Sequence, residues 1–419
     1  MSKLTIAGIG PGDAGYIIPA VAETIKEAHC VIAAGRILPT LESLADTLPG
    51  NPPVFQEMGK VEDTLEQIGR LLSEEKDVVL AVSGDPLMYS LYRTICNHPC
   101  SKDWEMKILP GIGSLQMLGA AFGETMEDAC IVSVHGRMQT PGSIALRVAE
   151  NPAVFFLCSK EQGPDWLSKI MLEYGQTDVT VFAASDLSYP EERLVSGSPE
   201  EMAQKEFPSL CVAMIKNPSP KRIQRPCFLS DEDFERDRTP MTKEEIRVLI
   251  LHKMKLHPDD IVWDVGAGTG SISIECARQT PFGQVHSIER SKPAVELIRK
   301  NKEKFGTDNL FLYEGDAVEQ IPLLPQPDKV FIGGSGGELG EILKILAGFH
   351  KKIKVVLSAV TIETIAEANE FFGKYDPDFD VIQATIGRGR KIGKYHIMDT
   401  NNPVMIFTAE MDPEKTREI

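Results

Sequence analysis

The sequence predicts an α/β protein built from two different domains. Short β-branched runs alternate with helical stretches along both halves of the 419 residues, and glycine-rich loops follow several of those runs. Between Asn217 and Glu245 the periodicity stops, Pro218, Pro220, Pro226 and Pro240 appear, and a basic run, Lys221 to Arg225, gives way to an acidic one, Asp231 to Asp237. That stretch divides residues 1–222 from residues 241–419, with 223–240 read as linker. The two halves do not share their motifs in order, so they are different folds joined, each expected to hold a mostly parallel sheet.

The first half opens on a strand pattern, Lys3 to Ile9, broken by Gly10-Pro11-Gly12-Asp13. A second strand pattern, Cys30 to Ala34, ends in Gly35-Arg36. Strand Val78–Val82 runs into Ser83-Gly84-Asp85-Pro86 and an expected helix, Leu87–Cys96; further loops are Pro110-Gly111-Ile112-Gly113-Ser114 and Ser133-Val134-His135-Gly136-Arg137. Gly10 to Gly15 satisfies G-x-G-x-x-G, which makes a dehydrogenase a rival reading, but the next strand ends without the acid that a ribose diol requires. Arg36 there keeps open a contact to a 2′-phosphate. Any one of these loops also reads as a plain turn; four in order at strand ends point to a ligand.

The second half begins at Pro240-Met241-Thr242-Lys243-Glu244-Glu245, where Thr242 suits a helix N-cap and Glu245 its capping-box partner. Strand Ile261–Val265 leads into Gly266-Ala267-Gly268-Thr269-Gly270 and helix Ser271–Arg278. Asp264 lies in that strand, and Glu289 closes the next, Gln284 to Glu289. Glycines let a backbone turn pass close to a ligand, and a carboxylate at the neighbouring strand end accepts from a ribose diol. The spacing G-x-G-x-G, with Ser271 where a dinucleotide fingerprint has glycine, favours S-adenosylmethionine over NAD. Strand Leu310–Tyr313 then carries Asp316 and Ala317, with Asp316 placed to accept from an adenine amino group. Strand Lys329–Ile332 ends in the loop Gly333-Gly334-Ser335-Gly336-Gly337.

Composition narrows the function classes. A formal charge of -17, from 61 acids and 44 bases, opposes nucleic acid and anionic membrane surfaces. No apolar stretch approaches the roughly 20 residues that span a bilayer, and no secretory region forms before Pro11, so a soluble cytoplasmic protein is expected. The eight cysteines are mostly scattered in apolar contexts, as reduced thiols are. Cys96-Asn97-His98-Pro99-Cys100 offers three ligand types but no partner cluster, so no metal is expected.

The motifs of the first half, G-x-G-P-G at Gly8–Gly12, G-D-P at Gly84–Pro86, the Pro110–Ser114 loop and S-x-H-G-R at Ser133–Arg137, resemble the tetrapyrrole methylase family; Gly113 stands where that family often has serine, leaving Ser114 to supply the hydroxyl. The second half, with T-K-E-E-I-R, D-x-G-A-G-T-G, F-I-G-G-S-G-G, A-V-T-x-E-T at Ala359–Thr364 and a closing N-P-V, resembles the decarboxylating C-15 methyltransferases of corrin synthesis. Together the halves resemble the fused precorrin C5,15-methyltransferase family. That resemblance implies a class III methylase of two α/β subdomains followed by a Rossmann-like class I methyltransferase, and two S-adenosylmethionine sites per chain. It implies cofactor contacts from Gly10, Pro11, Asp85, Met88 and Ser114 in the first half. In the second it implies them from Thr242, Asp264, Gly266, Ala267, Gly268, Thr269, Gly270, Glu289, Asp316, Ala317, Gly333 and Gly334.

The implied partner is a precorrin or cobalt-precorrin tetrapyrrole, and the implied assembly a homo-oligomer. Its many carboxylates call for local cations on so acidic a protein. Arg388, Arg390, Lys391 and His396 sit on an expected glycine-flexed loop, with Arg137 a weaker candidate; the plain reading of the loop is a solvated hairpin tip. No catalytic acid or base stands out, as expected for methyl transfer to an electron-rich carbon. Two readings remain beside this one: a chain in which only the second half is catalytic, and a methyltransferase of protein or RNA, which the acidic charge disfavours.

Overall fold

A computed structural model of the chain describes all residues except 1, 48–51, 136–138, 222–227, 377 and 414–419. It divides into two compact units, residues 1–138 with 144–222, and residues 139–143 with 223–419.

The first unit holds two five-stranded sheets. One has the order β3-β2-β4-β1-β5, from β1 (Leu4–Gly8), β2 (Cys30–Ala33), β3 (Val54–Glu57), β4 (Val78–Val82) and β5 (Met106–Leu109). All its pairings are parallel. β1, β2 and β4 are buried along their whole length, because helices cover both faces; that is why they read as unbroken apolar runs rather than alternations.

The other sheet comprises β6 (Cys130–Ser133), β7 (Ala153–Leu157), β8 (Thr180–Ser185), β9 (Arg193–Gly197) and β10 (Cys211–Lys216) in the order β6-β7-β10-β8-β9. Only β6 and β7 pair in parallel; the other three pairings are antiparallel. The expected mostly parallel sheet is corrected here. A parallel pair needs a long crossover, whereas β8 and β9 are joined directly by residues 186–192.

The second unit is built on one seven-stranded sheet, ordered β13-β12-β11-β14-β15-β19-β16. Its strands are β11 (Ile261–Val265), β12 (Gln284–Glu289), β13 (Leu310–Glu314), β14 (Lys329–Ile332), β15 (Ile353–Ala359), β16 (Asp380–Ala384) and β19 (Val404–Met411). β11 to β15 are parallel, and β19 inserts antiparallel between β15 and β16. The chain starts in the middle at β11, winds outward through β12 and β13, then returns to the other side at β14. Ligand crevices in such sheets open at this switch, beyond the carboxyl ends of the strands. β17 (Gly387–Ile392) and β18 (Tyr395–Thr400) form a separate two-stranded hairpin.

Three local expectations change. The helix expected over Leu87–Cys96 is only Tyr92–Cys96; Tyr89 takes a positive φ of 50° and the preceding residues form turns. The helix expected to be capped by Thr242 runs Glu244–Met254 with Lys243 at its N-cap and no side-chain cap, so the Thr242–Glu245 box does not form. Of the stretch expected as linker, the described part packs onto the second unit. Leu229 and Phe234 join its core, and Asp231 is buried against the fully buried Arg247.

Candidate functional site

In the second unit the loop after β11 lies where the strand order reverses. Gly266, Gly268 and Gly270 have φ of +72°, +59° and +76°, conformations that a side chain strains. At Gly266 space is also absent: a Cβ there would lie 2.2 Å from the Gly334 carbonyl oxygen. The amides of Gly333 and Gly334 both donate to the Val265 carbonyl, at 2.9 and 3.3 Å, which fixes the loop after β14 against the one after β11.

Glu289, at the end of β12, accepts from the amides of Gly268 and Ser291, each at 2.8 Å. One carboxylate therefore spans the glycine loop and the start of the next helix. Each of its oxygens retains acceptor capacity toward a ligand hydroxyl.

Two openings flank this carboxylate. A recess of ≈ 200 Å³ is lined by Glu289, Arg290, Asp316, Ala317 and Gly334 to Gly336, and across it Arg290 pairs with Asp316 at 3.3 Å. A larger cavity of ≈ 850 Å³ is lined by Thr242, Gly266 to Thr269, Glu289, Phe331 and Gly333, with Ile386, Asn401 and Asn402 at the base of the hairpin. Thr242, left uncommitted by the missing cap, faces this cavity, and its carbonyl accepts from Arg247 Nη1 at 2.7 Å.

Asp264 and Gly270 line neither opening. Asp264 is completely buried beneath the glycine loop, where one carboxylate oxygen accepts the Ser273 hydroxyl, itself an acceptor from Ser287 at 2.7 Å. Its other oxygen has no partner among the described residues. Burial, more than the nearby Glu289 charge, pushes its carboxyl up to about 7. Gly270 packs its Cα against Ile298, with 3.0 Å for any Cβ.

The hairpin is a regular antiparallel ladder rather than a flexed loop. Arg388 pairs with Glu245 at 2.8 Å and Glu244 at 3.0 Å, and Arg390 with Asp399 at 3.2 Å. Lys391 stands opposite His396. The two arginines expected to hold substrate carboxylates are therefore occupied by acids of the chain itself.

In the first unit, Gly8, Gly84 and Gly111 meet at the ends of β1, β4 and β5. A Cβ on Gly111 would lie 2.3 Å from the Gly84 carbonyl oxygen, and one on Gly8 2.5 Å from it. Gly10, at φ +79°, accepts from the Gly84 amide at 2.7 Å. Asp85 clips two loops together, accepting from Leu87 N at 2.8 Å and Gly111 N at 3.1 Å.

Above this floor opens a cavity of ≈ 1000 Å³ whose lining includes Pro11, Asp85, Met88 and Ser114. Gly10 does not line it; it is joined to Gly84, which does. The wall adds residues that motif reading did not assign, among them Ser133, His135 and Asp186. Strain marks this region, since Tyr89 and Asp186, both in the lining, have φ of 50° and 48°. Arg137 lies outside the described residues.

Among the described residues no group of three His, Cys, Asp or Glu could hold a metal ion, and no helix is long and apolar enough to cross a membrane. His98 and Cys100 do approach each other, at 2.9 Å, on the surface.

Comparison with known proteins divides the chain at the same seam. Residues 3–203 match the family model of tetrapyrrole (corrin/porphyrin) methylases, and residues 232–411 that of the precorrin methyltransferase domain. A probable cobalt-precorrin-6B C(15)-methyltransferase (decarboxylating) of Pyrobaculum calidifontis is 39% identical over 184 residues, covering 43% of this chain and 94% of the relative. The cobalt-precorrin-6B C(15)-methyltransferase (decarboxylating) of Salmonella typhimurium is 34% identical over 194 residues, 46% of this chain and 100% of the relative. A precorrin-6Y C(5,15)-methyltransferase [decarboxylating] of a Sinorhizobium species is 28% identical over 366 residues, spanning 86% of this chain and 85% of its own length.

Proposed function

This chain belongs to the precorrin methyltransferase family and is a methyltransferase, and we propose that its two units methylate one class of tetrapyrrole at two carbons in cobalamin biosynthesis. The second unit, read as a Rossmann-like class I methyltransferase, methylates C-15 and removes the C-12 acetate carboxyl as carbon dioxide. The first, read as a class III methylase of two α/β subdomains, methylates C-5. The observation that carries this reading is a separate glycine-cradled cavity in each unit, each within a different methylase family match.

The residues of the second unit fit S-adenosylmethionine. The Gly266–Thr269 backbone forms a cradle that side chains would fill, and the buried Thr269 hydroxyl in the cavity wall has no partner among the described residues. Glu289 would take the ribose diol, Asp316 with Ala317 the adenine, and Thr242 the methionine end. In the first unit Pro11, Asp85, Met88 and Ser114 would hold a second molecule over the Gly8–Gly84–Gly111 floor.

Bound there, the cofactor supplies an electrophilic methyl group on a sulfonium. The protein's part is positional: to hold an electron-rich carbon in line with that methyl and keep water away. The apolar side chains Phe331, Ile386 and Val404 serve this in the larger cavity of the second unit. Departure of carbon dioxide leaves its electron pair in the conjugated ring, so no strong base is required of the wall. Arg388 and Arg390 would contact substrate carboxylates only by exchanging their present acids, while Lys391 and His396 are exposed beside them.

Equilibrium titration with S-adenosylmethionine tests the reading. Saturation near two equivalents per chain is expected, falling to one when Gly268 is replaced by a bulky residue. One equivalent in the parent, abolished by that replacement, would leave catalysis to the second unit alone.

A further inference from the structure

Arg36 and Arg93 both line the ≈ 1000 Å³ cavity of the first unit, one from the loop after β2 and the other from the short helix Tyr92–Cys96. Neither has a carboxylate partner among the described residues. They differ in this from Arg247, Arg290, Arg388 and Arg390, which are ion-paired with acids of the chain. Arg36 is nevertheless held in place: its guanidinium lies over the Tyr189 ring, 5.7 Å from the centroid, and Nη2 reaches Ser83 Oγ at 3.4 Å. A planar cation stacked on an aromatic ring keeps its donor edge available for an anion.

The acids of the same wall do not cancel these charges by contact. Asp85 spends both oxygens on the amides of Leu87 and Gly111, and Asp186, also in the lining, pairs with neither arginine among the described residues. The lining otherwise mixes apolar side chains, among them Leu87, Met88, Leu115 and Val212, with hydroxyls such as Ser83, Ser114 and Ser133. A large chamber with apolar wall segments and two guanidinium groups free of carboxylate partners suits a flat ligand bearing peripheral carboxylates.

We infer that Arg36 and Arg93 bind peripheral carboxylates of the macrocycle in the first unit and so orient its face toward the glycine floor. This rests on the reading that the first unit's cavity takes the tetrapyrrole. It adds to the motif-borne Arg137, which lies outside the described residues, two arginines that no glycine motif marks.

An octacarboxylate porphyrin, followed by quenching of its fluorescence, is the probe for the full chain. Parent protein, Arg36→Gln/Arg93→Gln and, as a control, Arg388→Gln are titrated at low and high salt alongside S-adenosylmethionine. Loss of a charge-assisted contact weakens probe binding about tenfold per arginine at low salt and less at high salt, while cofactor binding stays at the parent value. The neutral methyl ester of the porphyrin should not distinguish parent from double variant. If the parent shows two classes of probe site and both survive the double substitution, the inference is overturned and the two-site reading stands. If the parent shows one class, lost only in Arg388→Gln, the first unit does not take the macrocycle and both fall. Circular dichroism and the unchanged cofactor titration separate either result from misfolding.

Discussion

Asp264 shows how a motif residue can matter without lining either opening. Its carboxyl sits under the glycine loop, held by Ser273, and burial raises it from 3.8 to about 7. A carboxyl with a raised folded-state pKa binds its proton more tightly in the folded state, so its contribution favours folding most below pH 4 and declines as pH rises toward 7. Replacement by Asn, which keeps the shape and removes the charge, should therefore gain stability relative to the parent progressively between about pH 4 and 7, and by a constant amount above that. Urea unfolding of both proteins across that range measures the difference; parallel curves would show that the carboxyl is not protonated on folding. Gly266 tests the loop above it. Gly266→Ala combines a positive φ with a contact of 2.2 Å to backbone, so it should cost about 2 kcal/mol or more, and cofactor binding in the second unit with it. Calorimetry and cofactor titration of the same variant read both effects. The motif made Asp264, Gly266 and Glu289 legible; that Asp264 acts from beneath was not, because a strand's sequence does not say how deep its last residues lie.

At the level of elements, the segment Leu229–Lys243 is a strap rather than a linker. Arg247 donates to the carbonyls of Leu229 and Thr242, both at 2.7 Å, and to Asp231 at 2.6 Å, and it lies 4.8 Å from the Phe234 ring. Asn301 ties the same strap to the glycine loop, donating to the carbonyls of Glu235 and Thr269 at 3.0 Å each. Proline content and charge alternation looked like a linker because the groups that bind the strap lie in helices outside it: Asn301 is remote in sequence, and Arg247, just past the strap, does not show in the sequence that it folds back on Leu229 and Asp231. Breaking a buried ion pair on one side leaves the other charge stranded, so Arg247→Ala should cost about 3–5 kcal/mol. It should also loosen the cavity wall at Met241–Lys243, read as weaker cofactor binding and faster amide exchange over the strap. The hairpin contrasts with this. Its Arg388 pairs are half exposed, so Arg388→Gln should change global stability by less than about 1 kcal/mol while speeding exchange at residues 387–400. Equal losses in the two variants would mean that the strap is no more anchored than the hairpin. Strand positions were clear from β-branched runs, whereas direction was not: the second sheet of the first unit turned out mostly antiparallel because strand direction depends on partners that periodicity does not name.

For the molecule as a whole, a net charge of -17 is compatible with an anionic substrate only where positive charge is available locally; Arg36 and Arg93 of the first unit have no carboxylate partner among the described residues, whereas Arg388 and Arg390 of the second are already paired with acids. Separate cavities also permit separate damage. Asp85 joins the Gly84–Leu87 turn to Gly111 through two hydrogen bonds to a charged acceptor, each worth about 1.5–3 kcal/mol, and both lie within the first unit. Asp85→Ala should let the loops at the cavity floor part, lowering C-5 methylation by at least about tenfold through misplacement of the reacting groups. The second unit keeps its own glycine loop, Glu289 and strap, so C-15 methylation and release of carbon dioxide should continue at the parent rate. Mass spectrometry of the product should then show one added methyl and the loss of one carboxyl. Carbon dioxide release that fell in step with C-5 methylation would mean that the two reactions share one site, and the assignment of one carbon to each unit would fail.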